Sequence, residues 1–189
     1  MKKNAGDHPD LNKRQRLNAT KHYNIYIVDD DKIFTLALKA DIENVFKNVS
    51  VKVHTFETGE KCMARFIREL PEIVILDYHL DSRFPDASDG IKILDWMKTE
   101  SPESYVIMLS ADDNIEVATE SFKHGASDYV VKTETKFKKL NYSLLNVLKI
   151  LEKKKEAKRF KKIAFGFLLV IALLIIIEIL IQQVKHYTR

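Results

Sequence analysis

Residues 73 to 77 read Ile73-Val74-Ile75-Leu76-Asp77, an apolar run that ends on a carboxylate. A second run, Ile25-Tyr26-Ile27-Val28, leads directly into Asp29-Asp30-Asp31. Short apolar runs of this kind are typical of strands buried on both faces of a parallel sheet. Ligands of open α/β sheets bind at the carboxyl ends of the strands, so we expect these acids to meet at one edge of a sheet.

Two more apolar runs follow the same rule. Residues 105–109 lead to Ser110, and residues 128–131 lead to Lys132. Segments with helical spacing of apolar residues separate the runs, which predicts a doubly wound α/β fold with a five-stranded parallel sheet and helices on both faces. The predicted strands are 25–28, 51–56, 73–76, 105–109 and 128–131, and the predicted helices are 34–46, 60–70, 90–99, 113–124 and 135–151.

Composition excludes several classes of protein. The chain has 189 residues and is 46% hydrophobic, enough for one sizeable core plus an appendage. Its single cysteine, Cys62, allows neither an internal disulfide nor a cysteine-based zinc site. The few glycines form neither a GxxxxGK[ST] nor a GxGxxG motif, so a nucleotide site is not expected. The net charge of +4 is concentrated in the first twenty-odd residues and in 153–162, and it predicts no nucleic-acid partner.

The C-terminal region has the character of a membrane anchor. Residues 163–181 are apolar apart from Glu178, and a helix of this length spans about 28 Å, close to the hydrocarbon thickness of a bilayer. The lysines and arginines of residues 153–162 precede this segment, and they predict a single pass through an inner or plasma membrane, with the preceding domain on the cytoplasmic side. A buried core helix is the alternative, but the α/β layers are already complete by about residue 150. Glu178 either reaches the far interface or pairs with another group.

We therefore divide the chain into five segments. Residues 1–22 are polar and contain no apolar signal-peptide core, so they are predicted to be a flexible basic arm. The others are an α/β domain (23–150), a basic helical linker (151–162), a transmembrane helix (163–181) and a short tail (182–189).

The residues at the predicted strand ends suggest a specific chemistry. Asp29, Asp30 and Asp77 would repel one another at one edge unless a cation lay among them, and oxygen ligands of this kind suit Mg²⁺. A metal held by carboxylates beside a nucleophilic carboxylate is an arrangement for phosphoryl transfer. Lys132 and Ser110 would then contact phosphoryl oxygens. Asp31 has a simpler interpretation, as the N-cap of the following helix.

Taken together, these motifs resemble the receiver domain of two-component response regulators, over about residues 23 to 150. The matching stretches are Ile27-Val28-Asp29-Asp30-Asp31, Ile75-Leu76-Asp77, Asp89-Gly90, Met108-Leu109-Ser110-Ala111 and Gly125-Ala126-Ser127-Asp128-Tyr129-Val130-Val131-Lys132. The resemblance implies a flavodoxin-like sheet with strand order 2-1-3-4-5. It also implies no enzymatic activity beyond self-phosphorylation and autodephosphorylation.

The same resemblance implies a role for each site residue. Asp77 would accept a phosphoryl group from a histidine kinase or a phosphotransfer protein. Mg²⁺ would be bound by Asp30, Asp77 and the backbone carbonyl of His79, with Asp29 acting mostly through water. Ser110 and Lys132 would contact the acyl phosphate. Ser110 and Tyr129 would form the switch that responds to it.

Two features depart from the family pattern. Thr133 follows Lys132 where receivers usually have a proline in a cis peptide, so this turn is expected to be trans. The loop between Asp77 and Gly90 is long. Its residues 81–88 either cover the site or are a solvent-exposed insertion, since surface loops tolerate insertions.

The predicted function is that of a membrane-anchored, stand-alone receiver, since residues 151–189 resemble no output domain. Its output would be a phosphorylation-dependent protein contact. The apolar residues of the last receiver helix are expected to pack on the sheet, and the alternative is that Leu145 and Val147 extend an apolar edge into a homodimer interface. Trp96 is assigned to the core. The alternatives are a degenerate receiver that acts as a constitutive membrane scaffold, and a hydrolase of the haloacid dehalogenase type. That hydrolase family requires an aspartate where this chain has His79.

Overall fold

The protein is described by a computed structural model that covers residues 22–80, 89–111, 113–133 and 135–187. Strands and helices alternate along the chain, as the apolar runs predict. The strands are β1 (Tyr23–Val28), β2 (Val51–Phe56), β3 (Ile73–Asp77), β4 (Tyr105–Ser110) and β5 (Asp128–Val131). The helices are α1 (Lys32–Val45), α2 (Gly59–Glu69), α3 (Gly90–Glu100), α4 (Ile115–Lys123) and α5 (Lys136–Tyr187).

The strands form one parallel sheet in the order β2-β1-β3-β4-β5, which confirms the predicted flavodoxin-like topology. Its register aligns the strand ends, because Val28 pairs with Leu76, Asp77 with Leu109 and Ser110 with Val131. The side chains that follow β1, β3, β4 and β5 therefore lie along one edge of the sheet.

The core lies on both faces of the central strands. Every residue of β3 is buried, which explains why its sequence is continuously apolar instead of alternating. On one face, a cluster of buried side chains joins the sheet to α2 and α3, and it includes Phe66, Met63, Ile93 and Met97. Trp96 was expected in the core, but it is 41% exposed because its neighbours Ile93, Leu94 and Met97 occupy the inward positions of α3.

Side-chain caps determine where the helices begin. Asp31 caps α1 as predicted, with its Oδ1 accepting hydrogen bonds from the backbone N–H groups of Ile33 (2.9 Å) and Phe34 (3.0 Å). Thr58, Asp89 and Asn114 cap α2, α3 and α4 in the same way. Helix α2 ends at Glu69, and Leu70 adopts a left-handed conformation (φ 44°) just before Pro71.

Gly90 allows the start of α3 to lie directly against the end of β3. Its N–H donates a hydrogen bond to the Tyr78 carbonyl at 3.1 Å. A Cβ at this position would lie 2.4 Å from the Asp77 carbonyl oxygen and 2.8 Å from Tyr78 Cα. These neighbours are backbone atoms that cannot move aside, so only glycine fits beside the residue that ends β3.

Helix α5 is 52 residues long and passes from one compact unit, which ends at Ser143, into a second that begins at Leu144. Of the two residues expected at a dimer edge, Leu145 is 39% exposed whereas Val147 is only 5% exposed. Val147 is therefore a buried residue and not part of an exposed edge. Leu144 and Leu148 are buried as well.

The second unit contains the one helical segment, within the described residues, that is long and apolar enough to cross a membrane. None of its apolar window is buried, and Leu173 and Leu174 are 59% and 58% exposed. A core helix of a soluble domain would bury such side chains. Their exposure argues against the alternative that this segment is a buried core helix.

Candidate functional site

Three carboxylates meet at the carboxyl edge of the sheet. Asp29 directly follows β1, and Asp77 ends the neighbouring strand β3. Both are almost fully buried, with exposed fractions of 1% and 3%, whereas Asp30 is half-buried. One oxygen from each of these three residues lies within 4.8 Å of the others. The sheet therefore brings together the acids that the strand ends predicted.

Lys132 reaches this group from the end of β5. Its Nζ donates a hydrogen bond to Asp77 Oδ2 at 2.8 Å and forms an ion pair with Asp29 Oδ2, also at 2.8 Å. The backbone N–H of Lys132 donates to the Ser110 carbonyl at 2.7 Å. The lysine is thus attached to the end of β4 and extends its side chain across that strand to both carboxylates.

Burial and charge alter the proton affinities of these groups. Burial, with a contribution from the nearby Asp29 charge, raises the pKa of Asp77 to about 6, against the lowering effect of the Lys132 hydrogen bond and charge. Burial also raises the pKa of Asp29, although Lys132 opposes the shift. The pKa of Lys132 would be lowered by burial alone, but its contacts with the two carboxylates produce a net rise. One ammonium group therefore faces three acids at this edge.

The oxygen atoms left available at the site fit a hard divalent cation. Asp77 Oδ1 is buried and accepts no hydrogen bond from any residue that the structure describes. A buried carboxylate oxygen without a partner is costly, and a metal ion or a bound polar group would remove that cost. The donor set consists of carboxylate oxygens, which Mg²⁺ prefers. The residues present therefore suit the ion that the sequence predicts.

The remaining predicted site residues lie around this group. Ser110 is fully buried at the end of β4, and Tyr129 of β5 is partly buried against the core cluster. His79 is exposed, and its ring lies edge-to-face with that of Tyr78 at 4.8 Å between centroids. The Lys132–Thr133 peptide is trans, since the described residues contain no cis peptide. Residues 81–88, predicted either to cover the site or to be a solvent-exposed insertion, lie outside the described residues.

The structure adds an aromatic contact that the sequence did not predict. The ring of Phe34, in the first turn of α1, has its centroid 5.3 Å from Lys132 Nζ and also 5.3 Å from Lys136 Nζ. Phe137 lies beside it at 5.7 Å between centroids. Phe34 is therefore a cation–π partner of the site lysine as well as a core residue. In the sequence it is visible only as one apolar position of an amphipathic helix.

A second contact connects the residue after Asp77 to α4. The hydroxyl of Tyr78 donates a hydrogen bond to Glu120 Oε2 at 3.3 Å. Burial raises the pKa of Tyr78, and the negative charge of Glu120 adds to the shift. Helix α4 is therefore in direct contact with the chain beside the carboxylate group.

Comparison with known proteins identifies the same region. The sequence model of the response regulator receiver domain matches residues 25–142. The nitrogen assimilation regulatory protein NtrX of Azorhizobium caulinodans is 28% identical over 110 residues, which are 58% of this chain and 23% of that protein. The probable C4-dicarboxylate response regulator DctR of Bacillus subtilis is 32% identical over 114 residues, which are 60% of this chain and 47% of that protein. The chain therefore matches less than half the length of either relative.

A solved structure shows the same likeness in three dimensions. The BeF3-activated receiver domain of DrrB, a Thermotoga maritima response regulator, superposes with a TM-score of 0.57 and 29% sequence identity. The superposition covers 68% of this chain and 98% of the DrrB domain.

Proposed function

Because this chain belongs to the response regulator receiver domain family, we propose that it is a membrane-anchored receiver that accepts a phosphoryl group on Asp77. The observation that carries this proposal is the buried Asp77 Oδ1, which has no hydrogen-bond donor among the described residues, while Asp77 Oδ2 lies 2.8 Å from Lys132 Nζ. Asp77 therefore retains an oxygen that can act as a nucleophile beside a cation. Asp29 Oδ2 also has no hydrogen-bond donor among those residues, but it forms an ion pair with Lys132, and Asp29 Oδ1 accepts a hydrogen bond from the Asp31 N–H at 3.0 Å.

The phosphoryl donor would be the phosphohistidine of a histidine kinase or of a phosphotransfer protein. A carboxylate oxygen of Asp77 attacks the phosphorus atom, so a P–O bond forms while the donor P–N bond breaks and its electron pair returns to the imidazole nitrogen. A pKa of about 6 leaves most Asp77 side chains ionised at pH 7, which the attack requires. Lys132 Nζ already lies 2.8 Å from Asp77 Oδ2. After the transfer, its ammonium group would donate hydrogen bonds to the negatively charged phosphoryl oxygens.

Mg²⁺ would be held by Asp30 and Asp77 with the backbone carbonyl of His79, and Asp29 would act mostly through water. When bound, the ion would offset the negative charge of the carboxylates and the phosphoryl group. Ser110 would donate its hydroxyl to a phosphoryl oxygen. Tyr129 would then change rotamer and alter the surface around β5 and the start of α5. The output is a protein contact at that surface, and a homodimer through α5 would use the exposed Leu145.

The membrane anchor is the second part of the proposal. Residues 163–181 would span an inner or plasma membrane once, and residues 151–162 would connect them to a cytoplasmic receiver domain at 23–150. The exposed apolar surface of this helix supports a lipid environment. Tethering confines the receiver to the surface where membrane kinases act, which raises its effective concentration toward them.

Labelling by a small phosphodonor tests the phosphoacceptor role. We expect the full-length protein in detergent or lipid nanodiscs to incorporate phosphate from acetyl phosphate in the presence of Mg²⁺, and EDTA to abolish the labelling. Asp77→Asn should reduce incorporation to background, because the amide lacks the nucleophilic oxygen. Asp113→Asn is the matched control, since Asp113 is an exposed acid outside the site, and it should label like the wild type.

The same experiment separates the alternatives. A wild-type protein that binds Mg²⁺ but never labels would favour the degenerate scaffold, for which Thr133 after Lys132 is the motivating departure. Equal labelling of the wild type and Asp77→Asn would place the phosphoacceptor elsewhere. Release of inorganic phosphate from unrelated phosphate esters with steady turnover would instead favour a hydrolase.

A further inference from the structure

A dense group of cations lies in the second compact unit, directly before the apolar part of α5. Residues 153–162 contain seven lysines and arginines and a single acid, Glu156. The next acidic residue along the chain is Glu178, within the apolar segment. All side chains in 153–162 are exposed.

The four cations nearest the apolar segment form a continuous surface, which we call the basic cluster: Lys158, Arg159, Lys161 and Lys162. Lys158 is three and four residues from Lys161 and Lys162, and Arg159 is three residues from Lys162, so all four are neighbours on one side of the helix. Glu156 lies on the side opposite Lys158 and Lys161, although it is three residues before Arg159. Within residues 135–187, none of the four forms an ion pair with a carboxylate.

The position of the basic cluster along the helix corresponds to the depth of lipid phosphates. With a rise of about 1.5 Å per residue, the cluster lies within about 8 Å of the first apolar residue, Ile163. The headgroup layer on each side of a bilayer is about 5 to 8 Å thick, as the difference between total and hydrocarbon thickness indicates. Phe160, 71% exposed, lies at the same depth on the opposite side of the helix, where interfacial aromatic residues anchor membrane helices.

We infer that the basic cluster binds the phosphate groups of anionic phospholipids, an inference that rests on the proposed membrane anchor and deepens it. A zwitterionic lipid presents a phosphate together with its own cation, whereas an anionic lipid leaves the phosphate charge uncompensated. Four cations without acidic partners therefore favour anionic headgroups over zwitterionic ones. Lysine and arginine side chains reach such headgroups while their alkyl stems remain against the apolar surface.

This recognition does more than set the orientation of the helix. It enriches anionic lipid around the anchor and places the receiver in anionic regions of the leaflet. The attraction is electrostatic, so salt weakens it: the Debye length falls from about 10 Å at 0.1 M to about 3 Å at 1 M ionic strength. The spanning helix itself, held by apolar burial, is insensitive to that change.

Lipid selectivity measured by electron paramagnetic resonance tests the inference on the full-length protein. The protein is reconstituted into phosphatidylcholine vesicles containing a trace of spin-labelled phosphatidylglycerol or phosphatidylcholine, and the motionally restricted fraction is measured for each. We expect phosphatidylglycerol to associate about twofold or more better than phosphatidylcholine at low salt, and the preference to disappear at 1 M salt. The salt arm uses the wild type and does not depend on the folding of any variant.

Two variants with the same change in charge complete the test. Lys158→Gln, Arg159→Gln, Lys161→Gln and Lys162→Gln together should bring the ratio close to one. The control replaces four exposed receiver lysines, Lys47, Lys52, Lys92 and Lys123, by glutamine and should keep the wild-type ratio. If the wild type restricts lipid without selectivity, or if both variants show equal selectivity, headgroup recognition would be contradicted while the spanning helix would stand. The absence of any restricted lipid would overturn the spanning helix and this inference with it.

Discussion

At the scale of single residues, the site combines features that the sequence reveals with others that only the fold produces. Asp29, Asp77 and Lys132 could be predicted because each follows a buried strand, and parallel strands end at one edge. The contact between Phe34 and Lys132 could not, since the rotation of α1 over the sheet depends on packing and not on local pattern. The partial exposure of Trp96 was missed for the same reason.

Substitution of Gly90 tests whether the close approach of α3 to the end of β3 is required. Gly90→Ala should lower the free energy of unfolding by about 1 to 3 kcal/mol and slow labelling of Asp77, because its Cβ would lie 2.4 Å from the Asp77 carbonyl oxygen. Chemical denaturation followed by circular dichroism measures the first effect and acetyl phosphate labelling the second. Gly166→Ala is the control, since a Cβ at Gly166 meets nothing within 4 Å. Wild-type values for Gly90→Ala would show that the close approach is not required.

At the scale of elements, the predicted boundaries of the five strands and of α1 to α4 agree with the structure to within about two residues, because apolar runs and caps are local signals. Helix α1 begins at Lys32 instead of residue 34 because the Asp31 cap, itself predicted, places Lys32 and the exposed Ile33 in the first turn. The side-chain contacts between elements could not be predicted from these local signals. Tyr26 of β1, visible only as a buried strand residue, donates its hydroxyl to Glu69 of α2 at 2.7 Å.

Glu69 makes the attachment of α2 dependent on pH. The hydrogen bond from Arg65, with Nε 2.7 Å from Glu69 Oε1, and the one from Tyr26 lower the pKa of Glu69 from 4.5 to about 2. A carboxyl with a lowered folded-state pKa stabilises the fold above its unfolded pKa, and this contribution is lost as the pH falls from about 4.5 toward 2. Glu69→Gln should therefore unfold at lower urea concentration than the wild type at pH 7.

The difference in urea midpoint between Glu69→Gln and the wild type should shrink as the pH falls from about 4.5 toward 2. Urea titrations at pH 7, 4.5 and 3 measure it. Glu100→Gln, at the exposed end of α3, is the matched control and should follow the wild type at every pH. A gap between Glu69→Gln and the wild type that does not change with pH would assign the effect to packing instead of charge.

At the scale of the whole molecule, an α/β unit and an exposed apolar helical unit share the chain. The composition change after residue 150 predicts a membrane anchor at 163–181, because a lipid-facing helix requires a long uninterrupted apolar stretch, whereas the second unit of the structure begins at Leu144. The sequence indicates helices at 135–151 and 163–181 joined by a basic helical linker at 151–162, and in the structure these segments lie in one helix, Lys136–Tyr187. The basic residues between them are strong helix formers, so nothing in that stretch ends the helix.

Charge placed in the middle of the apolar segment tests the anchor. Leu173→Lys with Leu174→Lys should convert a protein that resists carbonate extraction into one that carbonate releases, because each central lysine costs about 2.5 to 3.5 kcal/mol on insertion scales. Gln183→Lys, at the exposed polar end of the helix, should remain in the membrane pellet. Release of the wild-type protein by carbonate would indicate adsorption to the bilayer surface.

The partial exposure of Trp96 has a practical consequence. It is the only tryptophan in the chain and is 41% exposed on α3. Its fluorescence emission therefore comes from one known position and shifts in wavelength when a protein covers that face or water is excluded from it. The molecule thus contains an intrinsic optical reporter of contacts at α3, and candidate binding proteins that lack tryptophan can be titrated against it without any added label.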